Sequence, residues 1–430
     1  MAGAALRAGV PALAVPLSVP RRRPALRQAR PGPAHHAGPA GARCPGLQRR
    51  HRPRRGVAHD GGRRVPLAVA RVRRSLPARG GARRRHRRAA RLAGQAARPP
   101  RPTLNPDSRV TAVAAKAVLA AAARALGSET SDAARVPRGW GGQNWRVTAD
   151  GGERFLVKFG DPASAEKWSA ASSAYDLARR AGVPAPRLAA FEAHCPEAGG
   201  AAMRLLTWVD GVEPASVLRG DAAVGRFFGD LGTALRRLHA IDLETFSSRL
   251  DGSAPVFARW TGYVAYRLPQ VAGRVAATDA FQPAAFAALA GRITDLAERV
   301  SAAVAPAPCH RDLYLDNLLA TPDAGLAALV DFDGAEAWDP AVDLVKLRWQ
   351  VFPRYPGARA AFEAAYHPAD VPPRWPERVE LVELLELVNH VANARAVGDR
   401  GFEDLGRDRL TQVCRASAAL ETVDLARPVR

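Results

Sequence analysis

One short stretch of the sequence limits the fold and the chemistry of this chain more than any other. Asp312 and Asn317 lie five residues apart in a polar segment that begins at His310, and Asp331 directly follows the apolar run 326–330. A short apolar run between polar segments is typical of a buried strand. The sequence therefore predicts two loops, joined by one strand, that carry two carboxylates and an amide.

These residue types match the requirements of phosphoryl transfer. A carboxylate must orient the acceptor hydroxyl and accept its proton, oxygen ligands must hold Mg²⁺ across the phosphates, and a lysine must hold the phosphates. Asp312, Asn317 and Asp331 can supply the first two functions. The pattern H-R-D-x-x-x-x-N, followed fourteen residues later by D-F, is the spacing of the catalytic and metal-binding loops in kinase-like folds.

The segment 309–347 resembles the aminoglycoside-phosphotransferase family, which shares the protein-kinase fold. Its sequence is CHRDLYLDNLLATPDAGLAALVDFDGAEAWDPAVDLVKL. The family usually shows H-G-D-x-x-x-x-N, a strand, D-F/W-D/E and D-P-x-x-D-L, and this chain has Arg311 where the family usually has glycine. The resemblance covers about 130–400. It implies an α+β, two-lobed protein-kinase-like fold with a small β-rich N-lobe and a larger helical C-lobe.

The resemblance implies a role for each matching residue. Asp312 is expected to be the catalytic base, and Asn317 and Asp331 are expected to be the Mg²⁺ ligands. Lys158 ends an apolar strand where the family carries its phosphate-binding lysine. The chain departs from the family at the glutamate that pairs with this lysine, because the expected position holds Ala171. We predict Glu166, earlier on the same helix, as the partner, and Asp176 is the acid that lies later on it.

Two further segments complete the predicted nucleotide site. Gly141 and Gly142 occupy the nucleotide-loop position between the first two strands, where glycine lets backbone N–H groups approach phosphate, although an ordinary hairpin is the alternative. The segment 203–211 resembles the hinge that joins the lobes in the family. That likeness implies that the Thr207 carbonyl and the Val209 amide bind adenine. The implied cofactors are ATP and Mg²⁺.

The implied activity is transfer of the γ-phosphoryl group of ATP to a hydroxyl or amine of a small molecule, such as an aminoglycoside or another antibiotic. Trp338 follows Asp331 by only seven positions and Asp339-Pro340 comes next, which leaves no room for the activation segment of a protein kinase. A kinase of a primary metabolite such as choline, homoserine or a sugar is the alternative among enzymes. A catalytically inactive nucleotide-binding scaffold is the alternative of another class.

The acceptor region is expected in the helical lobe, between 213–300 and 345–430. Four glutamates recur there at three-residue spacing in a segment that reads as a helix: Glu377, Glu380, Glu383 and Glu386. Such a row is typical of a solvated helix face, and an acidic wall for a cationic acceptor is the alternative.

Composition divides the chain into two unequal parts. Residues 1–100 contain 25 Arg, one Asp and no Lys or Glu, so 101–430 hold 38 basic and 40 acidic residues of the 63 and 41 in the chain. The first hundred residues also lack Phe, Tyr, Trp and Ile, and they cannot bury enough apolar surface to offset the entropy of ordering. We predict a disordered tail over 1–103, a nucleotide-binding N-lobe over 104–210, and over 211–430 a helical C-lobe with the catalytic loop and acceptor site.

Three interpretations of the tail stay open: a basic arm, a targeting peptide, and a start site placed too far upstream in a G/C-rich gene. Because the remainder of the chain is nearly neutral, nucleic acid is not expected as a partner, except non-specifically through the tail. The sequence has no run of eighteen apolar residues and therefore predicts no membrane span. Its four cysteines lack metal-ligand and CxxC spacing, which fits the reducing cytoplasm.

Overall fold

The computed structural model of the chain describes residues 112–136, 143–367, 371–417, 420 and 423–425. The predicted tail and the two loop glycines, Gly141 and Gly142, lie outside the described residues. None of the helices described is long and apolar enough to cross a membrane.

A five-stranded antiparallel sheet forms the first part of the fold, in the order β1-β2-β3-β5-β4. Its strands are β1 (Thr130–Val136), β2 (Gln143–Ala149), β3 (Arg154–Gly160), β4 (Leu188–Cys195) and β5 (Ala201–Thr207). Helix α1 (Ala115–Leu126) packs against the face that carries Val157 and Leu205. Since side chains alternate between the faces of a strand, Lys158 and Arg204 point to the opposite face, where α2 (Ser164–Arg180) lies.

The second part of the fold is mainly helical. Its helices are α3 (Pro214–Val217), α4 (Gly220–His239), α5 (Trp260–Thr278), α6 (Pro283–Val300), α7 (Asp343–Lys346), α8 (Ala358–Tyr366), α9 (Trp375–Ala396) and α10 (Arg400–Ala416). One apolar core joins α2 to α4 and α8, and another is built around α5, α6 and α9. Helix α9 is central, because apolar residues around most of its circumference are buried.

Short strands position the two predicted loops side by side. Strands β6 (Phe246–Ser247), β7 (Val256–Phe257), β8 (Ala307–Cys309) and β11 (Glu336–Trp338) form a sheet in the order β7-β6-β11-β8. A hairpin of β9 (Leu318–Ala320) and β10 (Leu326–Leu329) lies between β8 and β11 in sequence. Because β8 and β11 pair antiparallel, with Glu336 opposite Cys309, the loop after β8 meets the loop before β11.

The predicted α+β plan is confirmed: a β-rich first part precedes a helical second part. The predicted strand 326–330 corresponds to β10. The last helix, α10, lies in the segment that the sequence predicted to be helical, but its bounds were not predicted. That segment contains Gly401 and Gly406, and glycine inside a helix costs about 1 kcal/mol relative to alanine, which weakens the helical signal.

Gly232 sets the closest approach of α4 to α8. A Cβ atom at this position would lie 2.5 Å from the Phe362 carbonyl oxygen and 3.2 Å from the Tyr366 amide nitrogen. Both atoms belong to the backbone of α8 and cannot rotate away. On the same helix, a Cβ atom at Gly225 would meet nothing within 4 Å.

We therefore expect Gly232→Ala to destabilise the protein by about 1–3 kcal/mol, because the added methyl group must push α8 away from α4. Gly225→Ala is the matched control and should stabilise it by up to about 1 kcal/mol through higher helix propensity. Urea unfolding of both variants measures the two free energies. Equal effects of the two substitutions would contradict the close packing at Gly232.

Candidate active site

A buried carboxylate shapes the loop that follows β8. Asp343, the first residue of α7, accepts the backbone N–H of His310 at 2.8 Å and that of Arg311 at 2.5 Å. His239 donates to the same carboxylate at 2.9 Å. Burial alone would raise the pKa of Asp343, but the His239 hydrogen bond and the backbone donors hold it below its usual value. Asp343 therefore fixes the backbone immediately before Asp312.

His310 joins this loop to the loop after β10. Its buried ring accepts the Asp312 N–H at Nδ1 (3.2 Å) and donates Nε2–H to the Val330 carbonyl oxygen (2.9 Å). The ring also packs against Phe332, with centroids 4.5 Å apart. His310 thus orients both loops through their backbones.

Arg311 adopts a backbone conformation that normally favours glycine. Its φ is +64°, in the left-handed region, where a side chain costs roughly 1–2 kcal/mol. The guanidinium group is held by an ion pair with Glu336 and by a 2.5 Å ion pair with Glu386, and it lies 4.0 Å from the centre of the Trp338 ring. These contacts explain how arginine is accommodated where the resembling family usually has glycine.

The Asp312 carboxylate lies between Asn317 and Lys346. Asn317 Nδ2 donates to its Oδ2 at 2.9 Å and to the Asp312 carbonyl oxygen at 2.7 Å. Lys346 Nζ forms an ion pair with Oδ1. Burial would raise the pKa of Asp312, but the charge and hydrogen bond of Lys346 lower it below its usual value. The structure therefore holds Asp312 as a carboxylate.

Asp331 lies close to this group and to the sheet. The Val330 N–H donates to the Asn317 carbonyl oxygen at 3.0 Å, which places Asp331 next to the catalytic-loop segment. Lys158 Nζ donates to Asp331 Oδ1 at 3.3 Å. Asp331 has a φ of +65°, and strained conformations of this kind cluster at functional sites.

The structure thus brings together Asp312, Asn317, Asp331 and Lys158. The donor set beside Asp331 fits a magnesium ion, because Mg²⁺ takes oxygen ligands and usually keeps several waters. The Asn317 amide donates with its nitrogen to Asp312, so its oxygen remains as a ligand atom. The side chain of Asp331 is about one-third exposed and offers a carboxylate.

Sequence reasoning missed Arg204, which faces Lys158 across β3 and β5. The guanidinium group is fully buried and forms ion pairs with Asp333 at 2.5 Å and Asp331 at 3.5 Å. Trp168 of α2 donates to Asp333 at 3.0 Å, and its ring lies 4.7 Å from the Arg204 guanidinium. Burial opposes the charge on Asp333, but Arg204 and Lys158 lower its pKa to about 2.

The predicted pairing of Glu166 with Lys158 is not formed and is corrected here. The Glu166 side chain is 76% exposed and pairs with Arg249 at 2.6 Å. The helix presents Trp168, two positions later, toward the cations of the sheet. Lys158 has Asp331 as its partner, with Asp333 4.0 Å away.

The predicted adenine contacts lie at the end of β5. Thr207 is the last residue of the strand, and its N–H donates to the Arg187 carbonyl oxygen at 2.8 Å. Val209 follows in the connection to the helical part. Their contact with adenine stays a prediction, as does phosphate binding by Gly141 and Gly142, which lie outside the described residues.

The four glutamates of α9 form neither a solvated face nor an open acidic wall. Each is paired with arginine: Glu377 with Arg374 (2.7 Å), Glu380 with Arg292 (2.8 Å), Glu383 with Arg348 (3.1 Å) and Arg409 (2.8 Å), and Glu386 with Arg311 (2.5 Å). Glu383 is buried, and the side chains of Glu380 and Glu386 are at most one-fifth exposed. A buried glutamate requires such a partner, because an unpaired charge is costly to remove from water.

Comparison with known proteins places these features in a family. The model of the family described as the phosphotransferase enzyme family matches residues 132–381, more than half of the chain. No curated protein matches the sequence.

Solved structures share the fold at low sequence identity. A protein described as a fructosamine-3-kinase from Thermobifida fusca is 20% identical, with a TM-score of 0.53 over 68% of this chain and 98% of that one. The aminoglycoside phosphotransferase APH(4)-Ia is 14% identical, with a TM-score of 0.56 over 71% of this chain and all of that one. The likeness confirms the predicted two-lobed, kinase-like fold.

The contacts of Arg311 give a stability prediction. Arg311→Gly relieves the left-handed strain but removes the close cation from the half-buried Glu386 and the buried Glu336. Breaking a buried ion pair from one side costs about 3–5 kcal/mol, which exceeds the relief of about 1–2 kcal/mol, so the variant should be less stable.

Adding Glu386→Gln to Arg311→Gly should recover part of the loss, because that carboxylate is then no longer left without its cation, whereas Glu336 keeps Arg267 3.9 Å away. Urea unfolding of the single and double variants measures the difference. If Arg311→Gly alone were as stable as the parent protein, the ion pairs with Glu336 and Glu386 would not offset the cost of the left-handed conformation at Arg311.

Proposed function

The chain belongs to the phosphotransferase enzyme family, and we propose that it transfers the γ-phosphoryl group of ATP to a hydroxyl group of a small molecule. The observation that carries the proposal is the convergence of Asp312, Asn317, Asp331 and Lys158. Phosphoryl transfer needs a carboxylate for the acceptor, oxygen ligands for the metal and a cation for the phosphates, and these four residues supply that set.

On the nucleotide side, Lys158 is the cation that would hold the phosphates, and the buried Arg204 beside it holds Asp333. Both lie on the face of the sheet that meets Asp331 and Asp333. The Thr207 carbonyl, the Val209 amide and the loop glycines Gly141 and Gly142 are the proposed contacts to adenine and phosphate. A thermostable mutant of the aminoglycoside phosphotransferase APH(4)-Ia, which shares the fold, has been crystallised with ADP and hygromycin B, and nucleotide use by a fold neighbour supports the proposal.

Asn317 and Asp331 would hold Mg²⁺, which supplies positive charge beside the phosphates when it is bound. Asp312 orients the acceptor hydroxyl. As the acceptor oxygen bonds to the γ-phosphorus, the bond from that phosphorus to the β,γ-bridging oxygen breaks. ADP leaves, and the acceptor proton passes to the Asp312 carboxylate.

A small-molecule acceptor is supported by the segment after Asp331. That segment forms a short 3₁₀ turn, Phe332–Gly334, and then enters the sheet as β11 between β6 and β8. It therefore leaves no extended platform of the kind on which a peptide acceptor would lie.

Lys346 is a positioning residue that the sequence did not identify. Its Nζ binds the Asp312 carboxylate and donates to the Arg311 carbonyl oxygen at 3.0 Å, and it lies 4.5 Å from the centre of the Tyr314 ring. We propose that it holds the Asp312 carboxylate ionised and oriented toward the acceptor.

Two substitutions test the central assignment. Asp312→Asn keeps the shape of the side chain but removes the base, so turnover should fall about 10²–10⁴-fold while ATP still binds. Asp331→Asn should weaken Mg²⁺-dependent nucleotide binding and turnover together, because a metal ligand is altered. Measuring ADP formation and nucleotide affinity for both variants separates the two roles. Full turnover by Asp312→Asn would contradict the phosphotransfer mechanism.

A third substitution tests the positioning role of Lys346. Lys346→Met should lower kcat about 10–100-fold, because a charge-assisted hydrogen bond of about 1.5–3 kcal/mol to the base is lost. The KM for ATP should stay unchanged, and Lys346→Arg should restore part of the rate. Lys116→Met, at an exposed site on α1, is the matched control and should behave like the parent. A rise in the KM for ATP with an unchanged kcat would contradict the role.

A further inference from the structure

A cavity of about 270 Å³ lies in the helical lobe, and Lys346, the ion-pair partner of Asp312, is part of its lining. Its walls come from the end of α7, from α9 and the start of α10, and from the π-helical turn Leu347–Val351. Lys346 lines the cavity and also binds Asp312, so this wall connects the cavity to the proposed base. π-Helical turns frequently occur at functional sites.

We propose that this cavity, here named the acceptor cavity, binds the phosphoryl acceptor, and that the acceptor is a small uncharged polyhydroxyl molecule of monosaccharide size. The proposal rests on the proposed function, because the cavity is assigned through Lys346, which lines it and pairs with the proposed base Asp312. It adds a site and a chemical class of substrate to that function.

The lysine and the glutamate that line the acceptor cavity are already paired. Lys346 is paired with Asp312, and Glu386 is paired with Arg311 at 2.5 Å. Asp399 keeps its charge, but it lies at the N-terminus of α10, where it accepts the Phe402 N–H at 3.0 Å and the helix dipole partly offsets the charge. His390 donates to the Phe402 carbonyl oxygen, and its pKa is lowered, mainly by burial, which favours the neutral ring. The lining therefore suits a ligand without net charge.

The wider surroundings lead to the same conclusion. The remaining glutamates of α9 are held by arginines, as described above. Glu386 is the one of the four glutamates that lines the cavity, and an acceptor cation that paired with it would have to displace Arg311 from that pair. An ammonium group next to the reacting hydroxyl would also approach Lys346, a like charge.

The uncharged groups of the acceptor cavity suit a ligand with hydroxyl groups on a compact carbon frame. Trp349 and Phe402 supply aromatic surface, against which the C–H faces of a sugar ring can pack. Asn389 supplies an amide whose Oδ1 accepts from Arg274 at 2.8 Å, an arrangement that fixes the position of its Nδ2 donor. Pockets of this kind combine apolar walls with a few placed polar groups.

The acceptor cavity is open to solvent, so its volume describes the part of the acceptor that it can enclose. This volume lies slightly below the range of about 300–1,000 Å³ that is typical of pockets for drug-sized ligands. A single sugar ring is therefore a better match than an antibiotic built from several linked rings.

Matched sugars that differ only in charge test this inference. The full-length enzyme with Mg²⁺ and ATP is assayed for ADP formation with D-glucose, D-glucosamine and D-glucuronate, with the same three members of the galactose series, and with kanamycin. Within at least one series we expect the neutral sugar to have a kcat/KM at least about tenfold above both charged members. Kanamycin should be a poorer substrate than the preferred neutral sugar.

Variants locate the binding to the acceptor cavity. Asn389→Leu should raise the KM for the preferred neutral sugar about tenfold or more, because a hydrogen bond is lost, with the KM for ATP unchanged. Gln412→Leu, a similar change at an exposed site of α10, is the control. If Asn389→Leu does not fold, Asn393→Trp places a bulky ring at an exposed residue of the lining and should also raise that KM.

Preference for a charged member, turnover of kanamycin alone, or turnover of none of these compounds would overturn the inference. An unchanged KM for the sugar in both lining variants would also overturn it. None of these outcomes contradicts the proposed phosphotransfer, which is tested separately by nucleotide binding and by Asp312→Asn.

Discussion

The carboxylate of Asp343 is the interaction on which the geometry of the site depends. It accepts hydrogen bonds from the backbone N–H groups of His310 and Arg311. These bonds hold Arg311 in its left-handed conformation and fix the position of the backbone that leads into Asp312. Asp343 is the first residue of α7, and Lys346, which binds the Asp312 carboxylate, is the last. One four-residue helix therefore fixes the backbone before the base and also the side chain of the base. This coupling explains why the D-P-x-x-D-L segment belongs to the site although its second aspartate, Asp343, lies 31 residues after Asp312.

A second cluster of charges joins the sheet to the loop that carries Asp331. Lys158 and Arg204 stand side by side on β3 and β5 and meet Asp331 and Asp333. Burying such a cluster carries a desolvation cost, so the cluster is weak evidence for stability. Its role is to position Asp331 and Asp333 against the sheet. Arg204 and Trp168 together hold Asp333, and Asp333 is two residues from the proposed metal ligand. Lys158 and Arg204 can therefore orient Asp331 without an acidic residue from α2. This explains why the expected ion pair between Glu166 and Lys158 is not needed.

The sequence predicted those parts of the site that depend on local spacing. Asp312, Asn317 and Asp331 lie in two loops on either side of one hairpin, so their separation along the chain restricts their separation in space. Arg204 could not be found in this way, because its closeness to Lys158 depends on the register of β3 with β5. Lys346 depends on the position of α7 against the catalytic loop. Its rarity was a usable signal, since the chain has only four lysines and this one lies in the motif segment.

The row of glutamates on α9 shows why a charge pattern alone misleads. Three-residue spacing normally indicates a solvated face, yet α9 is the central helix of the second core, and its glutamates can be buried only if cations accompany them. The described part of the chain supplies these cations almost wholly as arginine, whose fork of donors can bind one carboxylate or link two, as Arg311 does between Glu336 and Glu386. The pairing that allows a charged helix to be buried also removes its carboxylates from ligand recognition. For this reason, the surroundings of the acceptor cavity favour a neutral molecule, although the sequence left a cationic acceptor open.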